Sequence, residues 1–155
     1  MIAPDLTALA ERITALQGAR VVCVGDVMLD RFVYGEVTRI SPEAPIPVCR
    51  VTNETVMLGG AGNVVRNLVS VGALVDFVSV TGDDEIAGDI GLLLRDLAGV
   101  TPTLVVDTGR PTTSKMRYVA GGQQLLRADR EVTTPISDDV ADSVFAAAEA
   151  ALSGA

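Results

Sequence analysis

The 155-residue sequence contains no histidine, and its two cysteines, Cys23 and Cys49, lie in apolar, strand-like runs without metal-ligand spacing. A zinc site and a triad that depends on an imidazole base therefore both lack material. The two thiols read as core-type residues of a reducing cytoplasm. Cations are scarce as well: 12 Lys and Arg stand against 20 Asp and Glu, for a net charge of −8. Proteins that grip a phosphate backbone normally gather excess Lys and Arg on one face, so nucleic acid is not an expected partner. No long apolar run is present and acidic residues come early, so neither a signal peptide nor a membrane span is indicated. Internal repeats and low-complexity linkers are also missing. What is abundant is apolar side chain, 48% of residues, enough for a sizeable core in a chain of single-domain length.

The apolar residues change period along the chain. "DLTALAERITALQGAR", from Asp5, has helical spacing and a glycine stop, and "VVCVGDVMLD" follows as a continuous apolar run, read as one buried strand ending in carboxylates. From Arg31 to Met57 the pattern turns β-rich, as "RFVYGEVTRI" and "IPVCRVTNETVML" around "SPEAP", whose prolines exclude a helix. Helix, strand and helix return in "AGNVVRNLVSVG", "ALVDFVSVTG" and "DDEIAGDIGLLLRDLAG", the alternation that builds a parallel sheet covered by helices. After a further strand, "TPTLVVD", the segment "TTSKMRYVAGGQQLLRADR" predicts a hairpin turning near Gly121 and Gly122, with the earlier β excursion as its partner. Ser137 is placed to cap a last, alanine-rich helix ending at Gly154.

"MLGGAGNVVRNLVSVGA" puts Gly59 and Gly60 where an apolar helix begins. Bare backbone and free N–H donors at a helix start suit an oxygen-rich ligand, and a tight turn would use the same glycines. No Gly-Lys-Ser/Thr closes the run, so it is not a phosphate loop of the Walker type. A dinucleotide fingerprint is rejected for want of its full glycine spacing and of a strand immediately before the glycines.

On "GDVMLDRFVYGEVTRISPEAPIPV", "GGAGNV" and "TSKMRYVAGGQQLLRAD", the sequence resembles the N-terminal half of the ribokinase-like, or PfkB, carbohydrate kinases. Within that family it is most similar to the kinases of D-glycero-β-D-manno-heptose 7-phosphate. The similarity runs from about Val21 to Ala155. It implies an α/β, ribokinase-like three-layer sandwich, here partial, with a small antiparallel β-sheet lid in segments of about 31–57 and 112–130. The implied reaction is ATP-dependent phosphorylation of the anomeric hydroxyl, a step toward ADP-heptose and lipopolysaccharide core. ATP and Mg²⁺ would be bound mainly by the other half, in a cytoplasmic homodimer joined through the lid. The family's base is an aspartate in a Gly-Ala-Gly-Asp motif downstream, which these residues do not contain. No catalytic residue and no metal site are expected within them, and the span alone is expected to be inactive. The Ala-Gly-Asp at Ala87 to Asp89 falls inside a predicted helix and reads as a solvated carboxylate.

The resemblance gives Asp30, Gly59, Gly60 and Asn63 a sugar-binding role. For Asp30 the chemistry agrees, because a carboxylate accepts directional hydrogen bonds from hydroxyls and ligands of open α/β sheets sit beyond the strand ends. Asp26 reads as a residue that orients the turn or bonds backbone donors. Arg39, Lys115, Arg117 and Arg127 are expected to converge on the 7-phosphate, where cations counter its charge. Gln123 aligns with a lid position that contacts sugar. Val33, Ile46 and Val48 are candidates for a dimer seam. Alternatives are another PfkB-type sugar kinase, or a non-catalytic sugar-binding or dimerisation module.

Overall fold

The computed structural model describes residues 6–154. The expected helix start at Asp5 lies outside them. The elements, in chain order, are α1 (Leu6–Thr14), β1 (Arg20–Val24), β2 (Val27–Ile40), β3 (Pro47–Gly60), α2 (Ala61–Ser70), β4 (Leu74–Thr81), α3 (Glu85–Arg95), β5 (Val100–Val106), β6 (Ser114–Ala120), β7 (Gln123–Arg130) and α4 (Asp138–Ser153). Among the described residues no helix is long and apolar enough to cross a membrane.

Two sheets result. Strands β1, β4 and β5 pair in parallel in the order β1-β4-β5, and the remaining four form a second sheet, the lid, in the order β3-β2-β6-β7. The apolar run expected to be one strand is divided between them at Gly25 and Asp26. Gly25 N–H still donates to Val78 O on the parallel sheet, at 3.2 Å, and from Val27 onward the chain pairs with β3 instead. Asp30 therefore stands in the lid and not at the end of a central strand. The lid also departs from the antiparallel expectation. β2 pairs antiparallel with β3 but parallel with β6, from Leu29 opposite Ser114 to Gly35 opposite Ala120, so the sheet is mixed. The β6–β7 hairpin turns at Gly121 and Gly122 as predicted.

The core explains how the two sheets stay together. Val27 and Leu29 of β2 and Leu58 of β3 are buried with Val75 and Phe77 of β4, Val65 of α2, and Ile90 and Leu94 of α3. These side chains come from both sheets and from the two helices on one face of the parallel sheet. On the other face α4 packs against β4, β5 and β1, with Val78, Val80 and Val144 bordering one cavity there, which completes a helix-sheet-helix arrangement. Val33 is 3% exposed. It faces inward and cannot belong to a dimer seam, whereas Ile46 is exposed and Val48 half-buried.

Phe77 is fully buried where β2, α2 and α3 meet. Phe77→Ala should lower unfolding stability by about 3–5 kcal/mol, the usual loss for a buried aromatic truncated to a methyl group. Urea denaturation followed by circular dichroism measures this, and a loss under about 1 kcal/mol would show that the two sheets do not share this core.

Candidate functional site

Strand pairing assembles one face of the lid. Asp30 lies opposite Met57 on β3 and Lys115 on β6, and Lys115 lies opposite Asp129 on β7. One row further, Phe32 lies opposite Thr55 and Arg117, and Arg117 opposite Arg127. Directly opposed residues, and residues two apart on a strand, project to the same side. Asp30, Phe32, Lys115, Arg117, Arg127 and Asp129 thus share the face opposite the one that buries Leu29 and Val33.

The charges on this face are paired. Arg117 Nη1 donates to Asp30 Oδ1 at 2.5 Å, and its guanidinium lies over the Phe32 ring, 5.1 Å from the centroid. Lys115 Nζ donates to Asp129 Oδ2 at 3.1 Å and to Glu131 Oε2 at 2.8 Å, while Arg127 Nε donates to Asp129 Oδ1 at 2.9 Å. The hydrogen bond to Glu131, then that to Asp129, raises the Lys115 pKa above the ordinary lysine range. Burial pushes the Asp129 carboxyl up, but the hydrogen bonds from Lys115 and Arg127 outweigh it and hold it below the ordinary carboxylate range.

Lys115 and Arg127 therefore meet at one carboxylate, with Arg117 next to them on Asp30. Arg39 does not join them. It lies opposite Val48, beyond both register shifts of the β2–β3 pairing, and at the usual strand rise of about 3.3 Å per residue it is roughly 20 Å past the Arg117 row. Gln123 lies opposite Ala120, whereas Gln124 lies opposite Val119, in the alternation shared by Lys115 and Arg117. A register shift between Tyr118 and Val119 separates both glutamines from the Lys115 and Arg117 rows.

The glycines also find their reason. A Cβ on Gly59 would stand 2.5 Å from Asp30 Oδ2 and 2.8 Å from Met28 Cγ, so the bare position makes room for the Asp30 carboxylate. Gly60 has φ +56, a conformation that glycine tolerates best, and a Cβ there would stand 2.4 Å from Asp26 O. β3 runs directly into these glycines, contrary to the expectation that no strand precedes them. The Asp26 main-chain carbonyl accepts the Ala61 N–H at 2.8 Å, which ties the start of α2 to the β1–β2 junction. The Asp26 side chain itself is exposed. Asn63 is exposed in the first turn of α2.

A cavity of about 450 Å³ lies at the carboxyl ends of β1 and β4, lined by Asp26, Met28, Ser79, Arg110, Thr113 and Glu131 among others. This is where ligands of open α/β sheets bind. Sequence reasoning missed Arg110, which lines it, and Asp84, which fastens the neighbouring loops without lining it. Asp84 caps α3 through the Ala87 N–H, at 3.1 Å, and also accepts the Thr112 N–H at 3.0 Å. Arg110 donates from Nε to Asp107 at 2.7 Å and from Nη2 to Thr134 O and Pro135 O at 3.4 and 3.1 Å. Together they fasten the entry of the β6–β7 hairpin to α3 and to the hairpin's exit. A signal for the lid acids existed, since Arg127, Asp129 and Glu131 alternate at strand period.

Burial pushes the Asp84 carboxyl up, but hydrogen bonds from Thr112 and Ala87 outweigh it and lower the pKa below the ordinary value. A depressed carboxylate stabilises the fold above its unfolded pKa, and that contribution is lost as pH falls through the folded one. Asp84→Ala should cost about 1–2 kcal/mol at neutral pH, as for other lost helix caps. In urea unfolding at a series of pH values, the gap from the unsubstituted protein should narrow below the ordinary carboxylate range. A gap that stays constant into strong acid would show that the charge is not what Asp84 contributes.

Residues 19–154 match the pfkB family of carbohydrate kinases. Among curated proteins, the chain is 57% identical over 136 residues to the bifunctional protein HldE of Paramagnetospirillum magneticum, a match that covers 88% of this chain and 28% of that protein. It is 51% identical over 140 residues to the protein of the same name from Acidiphilium cryptum, covering 90% of this chain and 29% of the relative. The chain thus spans less than a third of the length of these relatives. Among solved structures, the microbiome-derived acarbose kinase Mak1 superposes with a TM-score of 0.61 at 24% identity, over 84% of this chain and 42% of that one, which shows a shared fold. With its parallel sheet, β lid and matched residues together, the chain belongs to the pfkB family of carbohydrate kinases.

Proposed function

We propose that this chain is the substrate-binding and lid portion of an ATP-dependent kinase that phosphorylates the anomeric hydroxyl of D-glycero-β-D-manno-heptose 7-phosphate, a cytoplasmic step toward ADP-heptose and lipopolysaccharide core. Family membership and the two HldE relatives support the reaction class. The observation that carries the substrate is the lid face. It offers a carboxylate for hydroxyls, Asp30, within the same two rows as cations suited to a phosphate, Lys115 and Arg127.

The division of labour follows from chemistry. Asp30, held by Arg117 and seated against Gly59, accepts hydrogen bonds from sugar hydroxyls with its remaining lone pairs. Lys115 and Arg127 counter the terminal phosphate, and the closed lid keeps water from the acceptor. ATP supplies the phosphoryl group. Mg²⁺, like ATP, is assigned mainly to the other half of the parent kinase.

In the full-length parent, Lys115→Ala should impair use of heptose 7-phosphate by about 2–5 kcal/mol in kcat/KM, the range for breaking a desolvated charge pair. The more exposed Arg127 should lose less, closer to about 1 kcal/mol. Neither should matter much for heptose without the phosphate, while Asp30→Ala should harm both substrates. Steady-state kinetics on the two sugars decides this, and equal losses on both for Lys115 and Arg127 would remove the phosphate-reading role.

The parent is also proposed to be a homodimer joined through the lid. β3 is an edge strand of 14 residues, and Val51 and Val56 on it are 48% and 41% exposed. Long apolar edges are normally covered. Sedimentation of the full-length protein should give a dimer that Val51→Glu with Val56→Glu converts to monomer. A dimer indifferent to both charges would place the seam elsewhere.

A further inference from the structure

The cations proposed to hold the substrate's phosphate already have anionic partners, and those partners are unequal. Asp129 is built into β7 opposite Lys115, its side chain is 20% exposed, and it binds Lys115 and Arg127 at once. Glu131 follows the last residue of β7, its side chain is 40% exposed, and among the described residues its one ion pair is to Lys115. It also belongs to the wall of the 450 Å³ cavity. Lys115, Arg127, Asp129 and Glu131 sum to zero charge, so with Glu131 in place the group offers no net attraction to an anion. A phosphate monoester carries about −1.5 to −2 at neutral pH, and two anions on one ammonium repel strongly away from bulk water. Phosphate and the Glu131 carboxylate cannot both occupy the Lys115 Nζ at full strength.

We propose that Glu131 is an internal stand-in for the substrate's phosphate: it holds the Lys115 ammonium in the empty lid and swings off into the adjoining cavity when a phosphate monoester arrives, while Asp129 stays as the strut that keeps Lys115 and Arg127 together. This rests on the reading of Lys115 and Arg127 as phosphate-holding residues. Two consequences separate it from a merely structural role for Glu131. The contact opposes phosphorylated ligands alone, because a sugar without phosphate leaves it undisturbed. It also favours the charged ammonium until phosphate arrives, in line with the raised pKa for which the Glu131 bond is the largest cause, while Asp129 by itself keeps Lys115 in place. A positioning role predicts the opposite sign, since losing Glu131 would then disorder Lys115 and weaken phosphate binding.

The test uses the full-length parent with Glu131→Gln, Glu131→Asp, Lys115→Met and the double variant Glu131→Gln with Lys115→Met, each checked for an unchanged thermal midpoint. Inorganic phosphate is titrated calorimetrically, and KM is measured for heptose 7-phosphate and for unphosphorylated heptose. Glu131→Gln should tighten phosphate binding roughly threefold to fivefold, the scale of a partly exposed ion pair. It should lower KM for the phosphorylated sugar by a similar factor and leave the other sugar unchanged. Glu131→Asp, which keeps the charge, should stay near the unsubstituted protein, and the gain should vanish in the Lys115→Met background. Unchanged or weaker phosphate binding in Glu131→Gln overturns the proposal, as does a gain that persists without Lys115, because it would then reflect the overall charge of an acidic protein. The two readings fail separately. A parent that does not turn over heptose 7-phosphate removes the substrate assignment, while the phosphate titration still decides the role of Glu131.

Discussion

Everything on the lid depends on which side of β2 is buried. Val27 and Leu29 pack into the shared core and Val33 is buried on the same side of the strand, and because side chains alternate along a strand, that burial forces Met28, Asp30 and Phe32 onto the opposite face. A slip of one residue would bury Asp30 and expose Leu29, so the hydrophobic core sets the position of the polar residues as firmly as any contact they make themselves. The same strand leaves the parallel sheet at Gly25 and Asp26. The base of the lid is therefore continuous with the core of the body.

Given that orientation, the neighbouring strands deliver charge by register alone. β6 brings Lys115 beside Asp30 and Arg117 beside Phe32, and β7 adds Asp129 and Arg127 in the same two rows. Arg117 and Arg127 stand directly opposite each other, yet each cation has an anionic neighbour before any ligand arrives, Arg117 on Asp30 and Lys115 and Arg127 on Asp129. Such partly exposed pairs add little to stability. Their effect is to hold long side chains in place and to make the affinity for an anion a difference between two sets of contacts. For an acidic chain this arrangement gathers three cations into two rows of one face, each already matched by a carboxylate.

The hairpin carrying those cations is fastened at its root. Asp84 joins the start of α3 to Thr112, Gly82 N–H donates to the Thr112 hydroxyl at 2.9 Å, and Arg110 spans from Asp107 to the carbonyls of Thr134 and Pro135. These bonds concentrate at the places where the chain crosses between body and lid, and Arg110 also lines the cavity there. The rigidity of the candidate site is thus supplied from behind it, by loops whose sequence bears no obvious sugar-binding signature.

Local chemistry determined much of this from the sequence alone: the alternation of helices and parallel strands, the hairpin at Gly121 and Gly122, the Ser137 cap and the helical setting of Asp89. Periodicity, capping and turn preference, which act over a few residues, settle these features, but the place of Asp30 in the lid was not among them, since the run it ends reads as one central strand. Tertiary structure decided the rest. A continuous apolar run such as 21–30 does not say which sheet each part joins, so its division at Gly25 was invisible. Nor does a strand's sequence say whether a distant partner lies parallel to it, which is why the lid proved mixed. Arg117 reaches Asp30 across 87 positions, while Arg39, equally cationic, ends far along β2. Which charges meet is a property of register between distant segments, and register is set by the summed burial of whole strands and by no single residue that carries the charge.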